Sequence, residues 1–178
     1  MDHRDHVNLL KPADLTLGGT WADLGAGSGA FTLALSELIG PDAVIYAVDK
    51  DGSALKDLEQ AHRARFNTTH NLFLLPNDFS RPLEIPALDG AVMANSLHFF
   101  KDREKVLRHV HSLLKPNGIL LIVEYNTDSG NPWVPHPFSF ETFETLAARS
   151  GFGKPRLLGG HPSRFLREIY SAVTYKQK

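Results

Sequence analysis

Cysteine is absent from the 178-residue chain. That excludes disulfides, thiolate nucleophiles and cysteine-based zinc sites. Charge of one sign is not in surplus either: 19 Lys and Arg stand against 20 Asp and Glu, for a formal net charge of −1. Without a basic surplus to neutralise a phosphate backbone, nucleic acid is not the expected partner. Long hydrophobic runs are missing as well. The longest strongly apolar run, residues 118–123, falls far short of the roughly 20 residues that cross a membrane. The opening Met-Asp-His-Arg-Asp-His has no apolar stretch of the kind that marks a secretory signal. No membrane and a cytoplasmic location are therefore expected. The length suits one domain over residues 1–178.

What is present is an alternation of two patterns. Residues 44–48, 72–75, 91–94 and 119–123 are short, continuously apolar runs without polar alternation. Strands buried on both faces read this way, and they occur mainly in parallel sheets covered by helices. Between them lie amphipathic stretches. Over 28–39, Phe31, Leu35, Leu38 and Ile39 recur at helical spacing, and Gly40-Pro41 ends the run. Residues 51–66 and 102–114 repeat the pattern, and Ser139 is placed to cap a further helix closed by Gly151. The order predicts an α/β fold with a doubly wound, mostly parallel sheet. Residues 156–160 and 165–175 read as two strands whose link, His161-Pro162-Ser163-Arg164, is too short for a parallel crossover. A hairpin is expected there, making the last strand antiparallel.

Four chemistry-bearing segments fall at the carboxyl ends of the expected strands, where open α/β sheets bind ligands. Asp23-Leu24-Gly25-Ala26-Gly27-Ser28-Gly29 joins the first strand to the first helix. Its glycines allow a sharp turn and a close backbone approach to a ligand. The spacing of Gly25, Gly27 and Ala30 also fits a dinucleotide fingerprint, so this loop alone leaves two cofactor classes open. Asp49, ending the second strand, can accept hydrogen bonds from two vicinal ribose hydroxyls; Asp51 is the better helix cap nearby. Asn77-Asp78-Phe79 follows the third strand and pairs a polar group with an apolar face, although a plain turn after Pro76 gives the same letters. Asn95-Ser96-Leu97-His98 follows the fourth.

Taken in order, these segments make the chain resemble the class I S-adenosylmethionine-dependent methyltransferases. Residues 23–29 match that family's acidic-x-Gly-x-Gly-x-Gly motif, and Leu113-Leu114-Lys115-Pro116-Asn117-Gly118 is similar to its turn into the fifth strand. The resemblance covers about residues 7–175. It implies a seven-stranded sheet with an antiparallel strand at the C-terminal end. It also implies S-adenosylmethionine as cofactor. Asp23 would meet the methionine amino group, and the backbone of Gly25, Ala26, Gly27 and Gly29 would pass under the methionine part. Asp49 would hold the ribose, with Lys50 over the adenine. Asn77 and Asp78 would serve the adenine amine beside Phe79, and the Asn95 carbonyl would line the methionine end.

The implied reaction is transfer of a methyl group to a small-molecule acceptor by in-line displacement, in which the protein positions and desolvates the reactants. His98 is the candidate general base where the acceptor must lose a proton; a purely structural histidine is the competing reading. Tyr125, Asn126, Trp133, His136 and Phe138 are the candidate acceptor contacts, with Trp133 and Phe138 able either to wall an apolar acceptor or to close the core. The N-terminal segment with His3 and His6 reads as a lid or as a frayed end. Acceptor recognition then falls to short loops, or to a second subunit in a homodimer. No metal is expected, since His109 and His111 are two apart on a helix and do not face each other. Two other functions fit parts of the pattern: a cofactor-binding partner subunit without transferase activity, and an NAD(P)-dependent oxidoreductase, which accounts for the loop and Asp49 but not for Asp78 or the final hairpin.

Overall fold

The computed structural model describes residues 1–163 and 165–177. The chain begins with helix α1 (His3–Leu10), closed by a capping box in which Asp2 and Asp5 each accept the other's backbone N–H. Then follow β1 (Thr20–Leu24), α2 (Ala30–Ile39), β2 (Val44–Asp49), α3 (Gly52–Phe66), β3 (Leu72–Pro76) and β4 (Leu88–Ala94). The remainder comprises α4 (Arg103–Leu113), β5 (Leu114–Tyr125), α5 (Phe140–Arg149), β6 (Arg156–Ser163) and β7 (Arg167–Tyr175). Three further helices start on side-chain caps. Asp51 accepts from the N–H groups of Ser53 and Ala54, Asp102 from Lys105, and Ser139 from Thr142.

The seven strands form one sheet in the order β3-β2-β1-β4-β5-β7-β6. β1, β2, β3, β4 and β5 pair in parallel, and β7 runs antiparallel to both β5 and β6. This is the doubly wound sheet expected, with its antiparallel strand where the short link placed it. Arg164, part of that link, lies outside the described residues.

Successive strand residues point to opposite faces, and each face carries its own core. Trp21, Ile45, Ala47, Val92, Leu121 and Val123 pack under α1, α2 and α3. Ala22, Leu24, Val48, Met93, Leu120 and Ile122 pack under α4 and α5. Two-sided burial is why these strands read as unbroken apolar runs.

Two features depart from the expected alternation. No helix joins β3 to β4; residues 77–87 make the crossing as an irregular stretch. Pro82 and Pro86 lie in it, each removing a backbone donor and biasing its neighbour away from helix. At the N-terminal end, the segment is not frayed: it forms a docked helix, and its His6 lines a cavity shared with the glycine-rich loop. α1 buries Val7, Leu9 and Leu10 against α2, and the His6 ring meets Phe31 edge-on at 4.8 Å.

The sheet's direction of winding reverses between β1 and β4, which are hydrogen-bonded neighbours. A crevice opens outside the carboxyl ends of two strands at such a switch point. Close packing of this pair depends on Gly90 of β4, which lies against the buried Trp21 ring of β1; a Cβ there would collide with the indole. Gly90→Ala is expected to cost roughly 1–3 kcal/mol of stability in urea unfolding, as overpacked cores do. The control Gly159→Ala, with nothing near its added Cβ, should stay within about 0.5 kcal/mol.

Candidate active site

The glycine-rich loop leaves β1 and enters α2 under two constraints. From below, the N–H groups of Gly25 and Ala26 both donate to the Val48 carbonyl of β2, at 2.8 and 3.1 Å. From the side, Asp49 Oδ2 accepts the N–H of Gly27 at 2.8 Å, while Oδ1 accepts the N–H of Asp51 at 2.9 Å. Asp49 is thus less free than the proximity of a better cap suggested. Each carboxylate oxygen can accept a second hydrogen bond, so two acceptor positions remain for vicinal hydroxyls. Gly25 has φ +89°, and a Cβ on it would strike the Ser96 side chain, whose Oγ donates to the Leu24 carbonyl at 2.7 Å. The segment after β4 therefore crosses directly over the loop after β1, and only glycine fits beneath it.

Two cavities open on either side of this crossing. The first, about 230 Å³, is lined by Gly25, Asp49, Lys50, Phe79, Asn95, Ser96, Phe99 and Phe100. Phe79 and Phe100 meet edge-to-face at 5.2 Å along it. The second, about 250 Å³, is lined by the loop backbone together with Asp23, Asn95, His6 and Phe31. Gly25 and Asn95 belong to both.

The ends differ in electrostatics. At the second cavity, Asp23 is 1% exposed; its Oδ2 accepts from the Thr32 hydroxyl at 2.6 Å and its Oδ1 has no partner. Burial raises its pKa, against the Thr32 hydrogen bond, to about 7. Asn95 Oδ1, on a residue with φ +52°, is likewise enclosed and unpartnered. Two idle acceptors here suit a ligand bearing hydrogen-bond donors, a cationic amine above all. At the first cavity, Lys50 Nζ lies 3.0 Å from Asp78 Oδ2. Burial works against ionisation of Asp78, but hydrogen bonds from Ser80 and Lys50 outweigh it and hold its pKa down to about 2. Lys50 and Asp78 are thus tied to each other at the rim.

Of the expected cofactor residues, Gly25, Asp49, Lys50, Phe79 and Asn95 converge on the first cavity, and Asp23, Gly25, Ala26, Gly27 and Asn95 on the second. Asn77, Asp78 and Gly29 line neither; Asp78 reaches the first cavity only through its ion pair with Lys50. The exposed Asn77 contributes a backbone N–H to the Asp49 carbonyl at 2.9 Å, and Gly29 makes room for Leu58 of α3. Among acceptor candidates, Phe138 is fully buried and serves the core, whereas Trp133 is 71% exposed. His98, in a short 3-10 turn after β4, is buried beside the first cavity without lining it. Its Nδ1 lies 2.7 Å from Oε2 of Glu124, a residue that sequence reasoning missed. A lone acid closing the apolar run 119–123 was the available signal. Among the described residues no group of three or more His, Asp or Glu is placed to hold a metal ion, and no helix is long and apolar enough to cross a membrane.

A family model described as "Methyltransferase domain" matches residues 22–120, more than half of the chain and the whole of the crossing just described. The chain belongs to the methyltransferase domain family. The methyltransferase domain is 28% identical over 118 residues to demethylmenaquinone methyltransferase of Geobacillus stearothermophilus, an alignment covering 66% of this chain and 50% of that protein. It is 27% identical over 124 residues to a ubiquinone/menaquinone biosynthesis C-methyltransferase of Pasteurella multocida, covering 70% and 46%. The chain thus spans about half the length of the curated relatives it matches. Among solved structures, magnesium protoporphyrin IX methyltransferase of Synechocystis, determined with bound S-adenosylmethionine, superposes with a TM-score of 0.76 at 14% identity, over 98% of this chain and 78% of that one. At that identity the likeness establishes the fold.

The state of Asp23 sets a pH dependence. With its pKa raised from the ordinary aspartate value of 3.8 to about 7 in the folded protein, the folded state holds a proton that the unfolded chain has already released. The stability contribution is therefore fully present below about pH 4 and is lost as pH rises through 7. In the methyltransferase domain without ligand, the stability difference between wild type and Asp23→Asn should shift by a few kcal/mol in the variant's favour between pH 4 and 7. Urea unfolding across that range measures it, and a pH-independent difference contradicts the assignment.

Proposed function

We propose that the domain binds S-adenosylmethionine across the two cavities and transfers its methyl group to a small-molecule acceptor. The observation that carries this reading is the pair of similar cavities meeting at Gly25 and Asn95, one aromatic-walled and one holding unpartnered acceptors. A nucleoside with a zwitterionic tail has that division of character. The adenine would lie against Phe79, with Asp78 and Lys50 at the rim. Asp49 would take the ribose hydroxyls on its remaining lone pairs, and Asp23 and Asn95 would face the amino group. The bound cofactor supplies an electrophilic methyl on a sulfonium leaving group. The chain's own task is to orient that group, exclude water and, where the acceptor is protonated, accept a proton at His98. The names of the relatives, which are methyltransferases of small molecules, support the same reading. A cytoplasmic location, and acceptor recognition by short loops alone or with a second subunit, belong to the proposal.

Calorimetric titration with S-adenosylhomocysteine, beside NAD and NADP, tests it. The homocysteine product should bind and the dinucleotides should not. Asp49→Ala removes the ribose acceptors and the Gly27 anchor together, for roughly 2–3 kcal/mol or on the order of 100-fold in affinity. Unchanged affinity in Asp49→Ala would remove the ribose assignment. Binding of NAD without the homocysteine product would return the chain to oxidoreductase chemistry.

A further inference from the structure

α2 starts at the glycine-rich loop. Its other end, together with the end of α3, borders a separate cavity of about 330 Å³. This cavity shares no lining residue with the two cavities of the crevice. Ser36, Glu37 and Gly40 come from the last turn and cap of α2, His62 and Phe66 from α3, and Asn71 from the link into β3.

The polar side chains here have spent their donors. His62 is 2% exposed, and its Nδ1 lies 2.8 Å from the Thr68 carbonyl. A carbonyl only accepts, so Nδ1 carries the proton and Nε2 the lone pair. Burial pushes the His62 pKa down, against the Thr68 hydrogen bond, and keeps the ring neutral. The Ser36 hydroxyl then donates to Nε2 at 3.1 Å. Asn71 is 9% exposed, and its Nδ2 donates to the carbonyls of Ala43 and Pro41 at 2.7 and 3.2 Å.

What remains is acceptors. Asn71 Oδ1 is enclosed and has no partner. Ser36 Oγ keeps its lone pairs. Glu37, exposed at the rim, holds His3 through Oε2 at 2.7 Å, with Arg65 3.9 Å from the same oxygen. Its Oε1 has no hydrogen bond among the described residues. Two helix C-termini add the negative ends of their dipoles. α3 offsets its own with Arg63 and Arg65, which pair with Glu59 and Glu37, whereas α2 has no basic residue in its last turn. Pro41 and Phe66, whose ring meets His62 at 4.7 Å, supply an apolar wall. The Ser36–His62 pair has the outline of a nucleophile and its base. None of these side chains has a donor left to hold an oxyanion, so acyl transfer does not fit. A guest must bring donors and positive charge.

We propose that this cavity binds a small primary ammonium carried on an apolar body. Three N–H donors match in number the acceptors Asn71 Oδ1, Ser36 Oγ and Glu37, and the body packs on Phe66 and Pro41. Hydrogen bonds from a charged donor are the strong ones. A neutral alcohol brings one donor and no charge, and a carboxylate brings only acceptors to a site already full of them. The site is independent of the methyl-transfer reading and of the acceptors at Asp23.

The probe is 2-phenylethylamine, titrated calorimetrically at low salt beside 2-phenylethanol and phenylacetate, which keep the body and change the head. The amine should be preferred over the alcohol by roughly tenfold, and the carboxylate should not bind. Glu37→Gln and Ser36→Ala should each weaken the amine by about three- to tenfold, with circular dichroism unchanged. Asp57→Asn, the same change of charge at an exposed position of α3 outside the cavity, should leave its affinity within about twofold. Asp23→Asn should leave it unchanged too, and the amide NMR shifts caused by the amine should centre on residues 36–41 and 62–71. No amine binding, equal binding of amine and alcohol, or affinity undiminished in both Glu37→Gln and Ser36→Ala overturns the site. Amine binding lost in Asp23→Asn places the amine in the crevice and overturns it as well. Glu37 is exposed, so its variant keeps the test decisive if Ser36→Ala fails to fold.

Discussion

The carboxylate of Asp49 is the tie on which the site depends. One oxygen holds the Gly27 N–H and the other the Asp51 N–H, so the end of β2, the glycine-rich loop and the start of α3 are locked in one arrangement. The Val48 carbonyl supports the same loop from beneath. With its floor fixed, the loop can pass under Ser96 and Asn95 closely enough to divide the crevice into two cavities. Preorganisation of this kind lowers the ordering cost of binding. It also leaves the carboxylate's remaining lone pairs facing the position proposed for the ribose.

Three aspartates near one crevice occupy three different environments. Asp23 is enclosed and half-satisfied, and burial raises its pKa. Asp78 is satisfied by Ser80 and Lys50 and held low. Asp49 spends one hydrogen bond per oxygen on backbone. A cationic amine approaching Asp23 would favour its charged form and be held by it. The same cation near Asp78 would meet Lys50. Electrostatics thus give the crevice a direction, with its cation-seeking end under α1.

Much of the fold was legible because the sheet is buried on both faces. Unbroken apolar runs marked the central strands, and the shortness of the link before β7 pointed to the antiparallel turn, although His161, Pro162 and Ser163, expected in that link, belong to β6. The missing helix between β3 and β4 was less visible, since its evidence is two prolines in a stretch assumed to follow the alternation. At the site, Asp23, Gly25, Asp49 and Asn95 could be found because each sits next to a strand end. Glu124 and the aromatic contacts around Tyr125 could not. The His98–Glu124 pair joins residues 26 apart, and Tyr125, Phe165 and Trp133 meet only once β5 and β7 have paired. Trp133 and Phe138 looked alike as candidate acceptor walls, yet one is exposed and the other sealed in the core. Contacts made by tertiary pairing leave no local spacing to read.

The central claim is that one ligand spans the crossing of Gly25 and Asn95. A crystal structure of the protein with S-adenosylhomocysteine tests this most directly. The account predicts continuous ligand density from Phe79 to His6, with ribose hydroxyls on Asp49 and the amino group facing Asp23 and Asn95. Density confined to one cavity, or a ligand held away from Asp49, would contradict it.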